Sequence, residues 1–231
     1  MSITENVAAI RARVDAAAIE SGRSPADIML VAATKMNDAD RVREAVAAGV
    51  DACGENRVQE LLEKHGQDAY AGKPLHFIGH LQTNKVRQIV GIVDLIQSVD
   101  SEALLQKIDA QAEKHGIVQD ILIEVNIGGE EAKSGVAPEA LPALLEIAST
   151  YSHLRVRGLM AIPPISTEPG GNHDYFCAMH QLFIDIGAKK YDNVFMDFLS
   201  MGMSDDFEDA IRCGANMVRV GSSIFGARHY A

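Results

Sequence analysis

Lys35 ends an apolar run, Ile28-Met-Leu-Val-Ala-Ala-Thr-Lys35, and polar Asn37 and Asp38 follow almost at once. A lysine at the mouth of a strand-lined core can trap a carbonyl. Desolvation favours its neutral amine, and a neutral amine condenses with an aldehyde to a Schiff base. On position alone, a lysine whose stem covers apolar surface while its head stays in water is the commoner case. Two distant segments bear on the choice. Ser200-Met201-Gly202 and Gly221-Ser222-Ser223 combine glycine with hydroxyls, so backbone N–H groups and side chains can close on an anion. Gly202 and Gly221 would serve tight turns just as well without a ligand.

These groups need elements to bring them together. Short apolar runs at 28–34, 51–55, 75–79, 94–99, 120–126, 156–162, 194–200 and 216–221 read as strands. Helical spacing falls between them, near 38–48, 57–67, 84–91, 101–115, 138–151, 173–188 and 204–213. Strands alternating with helices imply a parallel α/β sheet, because parallel neighbours need a crossover. Eight strands are the number that closes a (β/α)8 TIM barrel, here one domain over residues 1–231. An open doubly wound sheet is the alternative, and no G-x-G-x-x-G opens a helix. Residues 4–21 add an amphipathic helix before the first strand, with Gly22 as its stop.

Barrel topology gathers the C-terminal strand ends on one face. They carry Lys35, Asn56, His80, Asn126, Met160, Ser200 to Gly202, and Arg219 to Ser223. The loops after the seventh and eighth strands are the usual phosphate site of such barrels. Asp205 and Asp206 would repel a phosphate on the axis of the helix that follows, so the anion belongs on the loop amides, with Ser204 as N-cap. Asn56 also suits an N-cap before Arg57-Val-Gln-Glu, and His80 a satisfied strand-end histidine. The loop 163–171, rich in Pro and Gly, lies on the functional face.

Composition narrows the partners. A net charge of −11 argues against a nucleic-acid backbone. Cys53, Cys177 and Cys213 are scattered and form no C-x-x-C pair, so a reducing, cytoplasmic setting fits and no metal site is expected. No apolar stretch approaches a membrane span. Glu5, Asp15 and Glu20 among Arg11 and Arg13 exclude an acid-poor transit peptide.

Several segments resemble the pyridoxal-phosphate homeostasis proteins (YggS/PROSC), in order along essentially the whole chain. They are Val31-Ala-Ala-Thr-Lys35, Gly54-Glu-Asn-Arg-Val-Gln-Glu60, His76-Phe-Ile-Gly-His-Leu-Gln-Thr-Asn-Lys85, Lys133-Ser-Gly135, Arg157-Gly-Leu-Met-Ala-Ile-Pro163, Leu199-Ser-Met-Gly-Met-Ser-Asp-Asp206 and Val218-Arg-Val-Gly-Ser-Ser-Ile-Phe-Gly-Ala-Arg228. That family is similar in fold to the barrel domain of alanine racemase. The resemblance implies a cytoplasmic protein, taken as monomeric, that binds pyridoxal 5′-phosphate and supports vitamin B6 and amino-acid homeostasis without established turnover. Apo-enzymes and small amino acids would be its partners. Lys35 would hold the cofactor as an internal aldimine; Ser200, Gly202, Gly221 and Ser222 would hold its phosphate, with Met201 between them also counted as cofactor-binding; Asn56 would lie near its ring. Arg219 matches the arginine that faces the pyridine nitrogen. Met36-Asn37-Asp38 departs from the Thr-Lys-Pro common after the lysine, and Ser222 stands where many members have threonine.

An arginine there cannot accept a proton, so it leaves the ring nitrogen unprotonated and weakens the electron sink. Racemisation also needs an acid/base on the opposite face, which alanine racemase takes from a second domain. This sequence runs only ten residues past Gly221, and no such domain is expected. The reading is therefore a carrier, with a fold type III amino-acid enzyme, racemase-like, as the alternative and a Schiff-base aldolase as a third. Charge-assisted bonds to phosphate contribute roughly 1.5–3 kcal/mol each. Pyridoxal lacking the phosphate should bind at least ~100-fold more weakly than the phosphorylated form, measured by fluorescence titration. Equal affinities would remove the cradle.

Overall fold

The computed structural model describes residues 2–130 and 132–226. Eight parallel strands close a barrel in sequence order: β1 Met29–Ala33, β2 Ala52–Glu55, β3 Leu75–Phe77, β4 Leu95–Val99, β5 Gln119–Val125, β6 Leu154–Ala161, β7 Val194–Ser200 and β8 Met217–Val220. The closing seam pairs Met29 with Met217 and runs to Ala32 beside Val220. The helices are α1 Ile3–Glu20, α2 Ala39–Ala47, α3 Val58–Gly66, α4 Glu102–His115, α5 Leu141–Ala148, α6 His173–Gly187, α7 Phe207–Arg212 and α8 Ser222–Phe225. Among the described residues no helix is long and apolar enough to cross a membrane.

The expected N-terminal helix has a structural task. The helix after β8 has only 4 residues, too few to cover the seam. α1 packs against α7, α8 and α2 and takes that place in the outer ring. Ser2 and Glu5 close a capping box at its start. Asn6 Nδ2 donates to the Ile224 carbonyl (2.9 Å), and Arg13 holds both oxygens of Glu208.

Three expected helices differ in detail. Residues 84–91 form a 3₁₀ helix, Thr83–Gln88, because the segment carries β-branched Val86, Ile89 and Val90 and turns at Gly91 with φ +85°. The segment 138–151 begins with a 3₁₀ turn, Pro138–Ala140. The α7 helix starts at Phe207, with Asp206 rather than Ser204 at the N-cap position, because the Ser204 hydroxyl is used elsewhere. Ser101 and Gly116 bound α4 as expected, Gly116 in the left-handed region at φ +63°, although the Ser101 side chain makes no capping bond.

The barrel interior is layered. Leu95, Leu122, Phe198 and Met217 fill it together with Val31, Ala52 and Met160. Two residues further along the same four strands stand Gln97, Glu124, Ser200 and Arg219, all buried. Strand alternation puts each pair on one face, so a polar layer lies directly above the apolar one, toward the C-terminal mouth. The larger core lies between strands and helices.

Below the end of β1 lies a buried ion pair. Lys64 Nζ donates to Glu55 Oε1 (2.7 Å) and to the Thr34 carbonyl (2.8 Å). The Thr34 hydroxyl (2.6 Å) and the Tyr70 phenol (3.3 Å) donate to the same Glu55 oxygen. Burial pushes the Glu55 carboxyl up, and the Lys64 ammonium opposes it. This cluster fixes the residue immediately before Lys35. Lys64→Met should cost about 3 kcal/mol or more by urea denaturation, on the scale of a broken buried pair. Adding Glu55→Gln should recover part of the loss. No change in either variant would show that the pair carries no stability.

Candidate functional site

The register of three neighbouring strands assembles the centre of the site. Ala33 pairs with Gly54, so Lys35 and Asn56, each two residues on, stand at adjoining strand ends. On the other side the β1–β8 seam sets Gly221 against Ala33; a Cβ on Gly221 would lie 3.3 Å from the Ala33 Cβ and carbonyl oxygen. A cavity of about 930 Å³ opens above, walled by Lys35, Arg219, Gly221 and Ser222, by Met203 to Asp206, and by the loop 163–171.

The bend after Lys35 is held from both sides. Met36 takes a left-handed conformation, φ +60°, and its N–H donates to Glu60 Oε2 (2.7 Å). Asn37 Nδ2 donates to the Lys35 carbonyl (2.9 Å) and Asn37 Oδ1 accepts from Arg41 Nε (3.0 Å). Arg41 also donates to the Phe225 carbonyl, tying this bend to α8.

Arg219 is 4% exposed. One terminal nitrogen donates to Ser200 Oγ (2.5 Å), the other to the Ala161 carbonyl (2.9 Å). Ser200 Oγ donates in turn to Gln97 Oε1 (2.6 Å), and Gln97 Nε2 lies 2.9 Å from His76 Nδ1. Burial pushes Arg219 down to about 10, against Glu124 and Asp206, so it stays charged at neutral pH. Burial and Asp100 push the Glu124 carboxyl up, while the Ser134 hydroxyl, Arg219 and His80 oppose it. Ser134 belongs to the cluster Lys133-Ser134-Gly135 and donates to Glu124 Oε1 (3.3 Å).

The sequence expectations sort into two groups. Lys35, Arg219, Gly221 and Ser222 stand on the cavity wall. Ser200, Met201 and Gly202 stand behind it. The sequence placed the Ser200 hydroxyl at a phosphate; the structure places it under Arg219, between that guanidinium and Gln97. Met201 is fully buried in the core between strands and helices, and its N–H donates to the Met217 carbonyl (3.1 Å). Gly202 has φ +90°, and a Cβ there would come within 2.6 Å of the Ala210 Cβ, so close packing against α7 requires glycine. Asn56 is not the N-cap of α3, which is Arg57; it is half-buried, and its Oδ1 is buried without a hydrogen-bond partner. Arg228 lies outside the described residues.

Ser204 was expected as a helix cap. Its hydroxyl instead accepts from the N–H groups of Gly221 (3.2 Å) and Ser223 (3.4 Å), setting the turn after β8. Asp206 is engaged on both oxygens, by the Met203 N–H (2.7 Å) and Asn172 Nδ2 (2.8 Å). The reading from sequence missed Gln97, Glu124 and this use of Ser204. The available signal was a polar residue two places after an apolar one inside a strand, at the same level in four strands.

A closed parallel barrel with a lysine, a buried arginine and the Gly221–Ser223 turn at its mouth defines a class of protein. Residues 4–229 match the family described as "Alanine racemase, N-terminal domain". Alanine racemase of Clostridium difficile superposes with a TM-score of 0.74 at 16% identity, over 98% of this chain and 58% of that one, which shows the shared fold alone. Within the class, the pyridoxal phosphate homeostasis protein of Pseudomonas aeruginosa is 42% identical over 229 residues, covering 99% of this chain and 97% of the relative. PipY of Synechococcus elongatus, solved with PLP bound, superposes with a TM-score of 0.84 at 31% identity, over 97% and 100% of the two chains. The chain belongs to the pyridoxal phosphate homeostasis protein family.

His76 gives the site a pH dependence. Burial lowers it to about 4 from its usual 6.5. The folded state therefore binds this proton less well than the unfolded chain. The contribution of neutral His76 is whole above about pH 6.5 and is lost as pH falls toward 4, on the order of 3 kcal/mol at most. Chemical denaturation at pH 7 and pH 5 should show a loss that His76→Gln reduces. An identical pH slope in the variant would exclude His76 as its source.

Proposed function

We propose that this chain holds pyridoxal 5′-phosphate at the mouth of its barrel through Lys35. In this reading it retains and hands over the reactive aldehyde in the cytoplasm, in support of vitamin B6 and amino-acid homeostasis. One observation carries the proposal: barrel closure sets Lys35 beside the Gly221–Ser223 turn, above a buried, charged Arg219. The relatives at 42% and 31% identity support it through what their names and the bound PLP say of them.

The residues present suit the group. Lys35, Arg219, Gly221 and Ser222 border one cavity, and they offer an amine, a buried cation and a small-residue turn to an aldehyde, a ring nitrogen and a phosphate. When bound, the cofactor supplies an aldehyde for condensation with an amine and a ring that withdraws electrons. Lys35 would supply the amine, as a Schiff base. The loop of Gly221 and Ser222, shaped by Ser204, would seat the phosphate. Arg219 would face the ring nitrogen as a fixed cation that takes no proton, which weakens carbanion chemistry. Ser200, Met201 and Gly202 would act from behind, by orienting Arg219 and holding β7 to β8. Apo-enzymes that need the cofactor are the proposed recipients, and the working unit is a monomer.

A second reading, an amino-acid enzyme resembling a racemase, draws on the size of the cavity, about 930 Å³, which leaves room for an amino acid beside a cofactor. Borohydride reduction followed by peptide mapping should place a pyridoxyl mass on Lys35, and Lys35→Ala should give no stable adduct. An adduct elsewhere in Lys35→Ala, first at Lys85 or Lys133, would overturn the assignment. Racemisation or deamination of a panel of amino acids by the loaded protein would favour the second reading.

A further inference from the structure

We propose that His173, Cys177 and Cys213 form a site for a thiophilic divalent cation of the zinc class. His173 and Cys177 lie four apart on the first turns of α6, on one helix face. Cys213 is the C-cap residue of α7. The fold thus joins residues that sequence spacing left apart. Cys177 Sγ lies 3.2 Å from Cys213 Sγ and 3.5 Å from His173 Nε2, and Cys213 Sγ lies 3.3 Å from His173 Nδ1. One ligand atom from each residue falls within 4.8 Å of the other two.

Tetrahedral zinc with bonds of about 2.3 Å to sulfur and 2.0–2.1 Å to nitrogen needs ligand-to-ligand edges of roughly 3.5–3.8 Å. At 3.2 Å the two sulfurs sit roughly half an ångström inside the sulfur–sulfur edge, so an ion requires the side chains to spread by about that much. All three cysteines of the chain are free thiols. Binding would release two protons to solvent, leaving two thiolates and a neutral imidazole around a dication, with no net charge. Cys213 is buried, whereas His173 and Cys177 are exposed, so the ion would enter from solvent and water would fill the fourth position. Asp174 and Asp209 add negative charge nearby.

None of the three ligands lines the cavity, yet the site would brace its wall. Asn172, next to His173, holds Asp206, and both line it. A bound ion would staple α6 to α7 on that side.

The untagged chain, kept reduced with a phosphine, should be titrated with Co²⁺ and then Zn²⁺. One equivalent of Co²⁺ should produce thiolate charge-transfer absorbance and strong tetrahedral d–d bands, and Zn²⁺ should abolish them. Loss of an outer-shell partner of a metal ligand already costs 10–100-fold in affinity. His173→Ala and Cys177→Ser change exposed side chains, so the barrel should survive by circular dichroism while affinity falls more than ~100-fold. Absence of the bands at one equivalent, or unchanged binding in either variant, would overturn the site.

Discussion

Closure of the barrel between β1 and β8 is the constraint on which the site rests. The seam joins the start of the chain to its end, Met29 beside Met217 through Ala32 beside Val220. Such pairing is non-local, and its loop entropy is recovered only when the whole sheet has formed. Lys35 and the Gly221 turn are therefore brought together by the pairing of β1 with β8. Three features guard the seam. Gly221 has no Cβ to meet Ala33, α1 covers the gap left by the short α8, and Arg41 bridges from α2 to the Phe225 carbonyl.

Closure also creates an electrostatic problem. Arg219 enters the barrel as a cation with 4% of its surface exposed. An isolated charge in that setting would be expensive. The polar layer answers it: Ser200 and the Ala161 carbonyl accept two of its N–H groups, and Glu124 adds a favourable field. Ser200 accepts from Arg219 only because its own proton goes to Gln97, and Gln97 Nε2 is in turn placed by His76. A chain of oriented dipoles thus runs from β3 through β4 and β7 to β8. It fixes the angle of a cation that lies at the floor of the cavity. A lysine would not substitute well, since it lacks the planar fork that reaches both partners at once.

Much of this was legible in the sequence. The strands showed as apolar runs because strands buried on both faces read that way. The strand ends then followed, and with them Lys35, Arg219, Gly221 and Ser222. What escaped was vertical order within the barrel. Whether Ser200 points to the mouth or to the layer beneath depends on strand stagger, which composition does not encode. Gln97 and Glu124 looked like interruptions of apolar runs, though each stands two places after an inward apolar residue. Ser204 looked like a cap because it precedes two aspartates, yet the turn after β8 takes its hydroxyl. The 3₁₀ segment shows the same limit: the apolar spacing of Val86, Ile89 and Val90 is real, but such spacing does not distinguish 3₁₀ from α bonding.

The acidic balance of the chain is a fair objection to an anionic ligand. Net charge is −11, and Glu168, Asp205, Asp206, Glu208 and Asp209 all border the cavity. Distance and engagement decide the matter. At physiological ionic strength the screening length is about 8 Å, so most surface carboxylates are nearly silent at the mouth. Of the bordering acids, Asp206 already has both oxygens bonded to the Met203 N–H and Asn172, and Glu208 is paired with Arg13. Lys35, Arg41 and Arg219 also border the cavity and offset three of its five carboxylates. The remaining acids would slow the approach of an anion more than they weaken its final seat, because seating depends on contacts within a few ångströms. On the proposed function, a site built this way would admit its ligand slowly and hold it by short-range bonds, which suits retention better than rapid turnover.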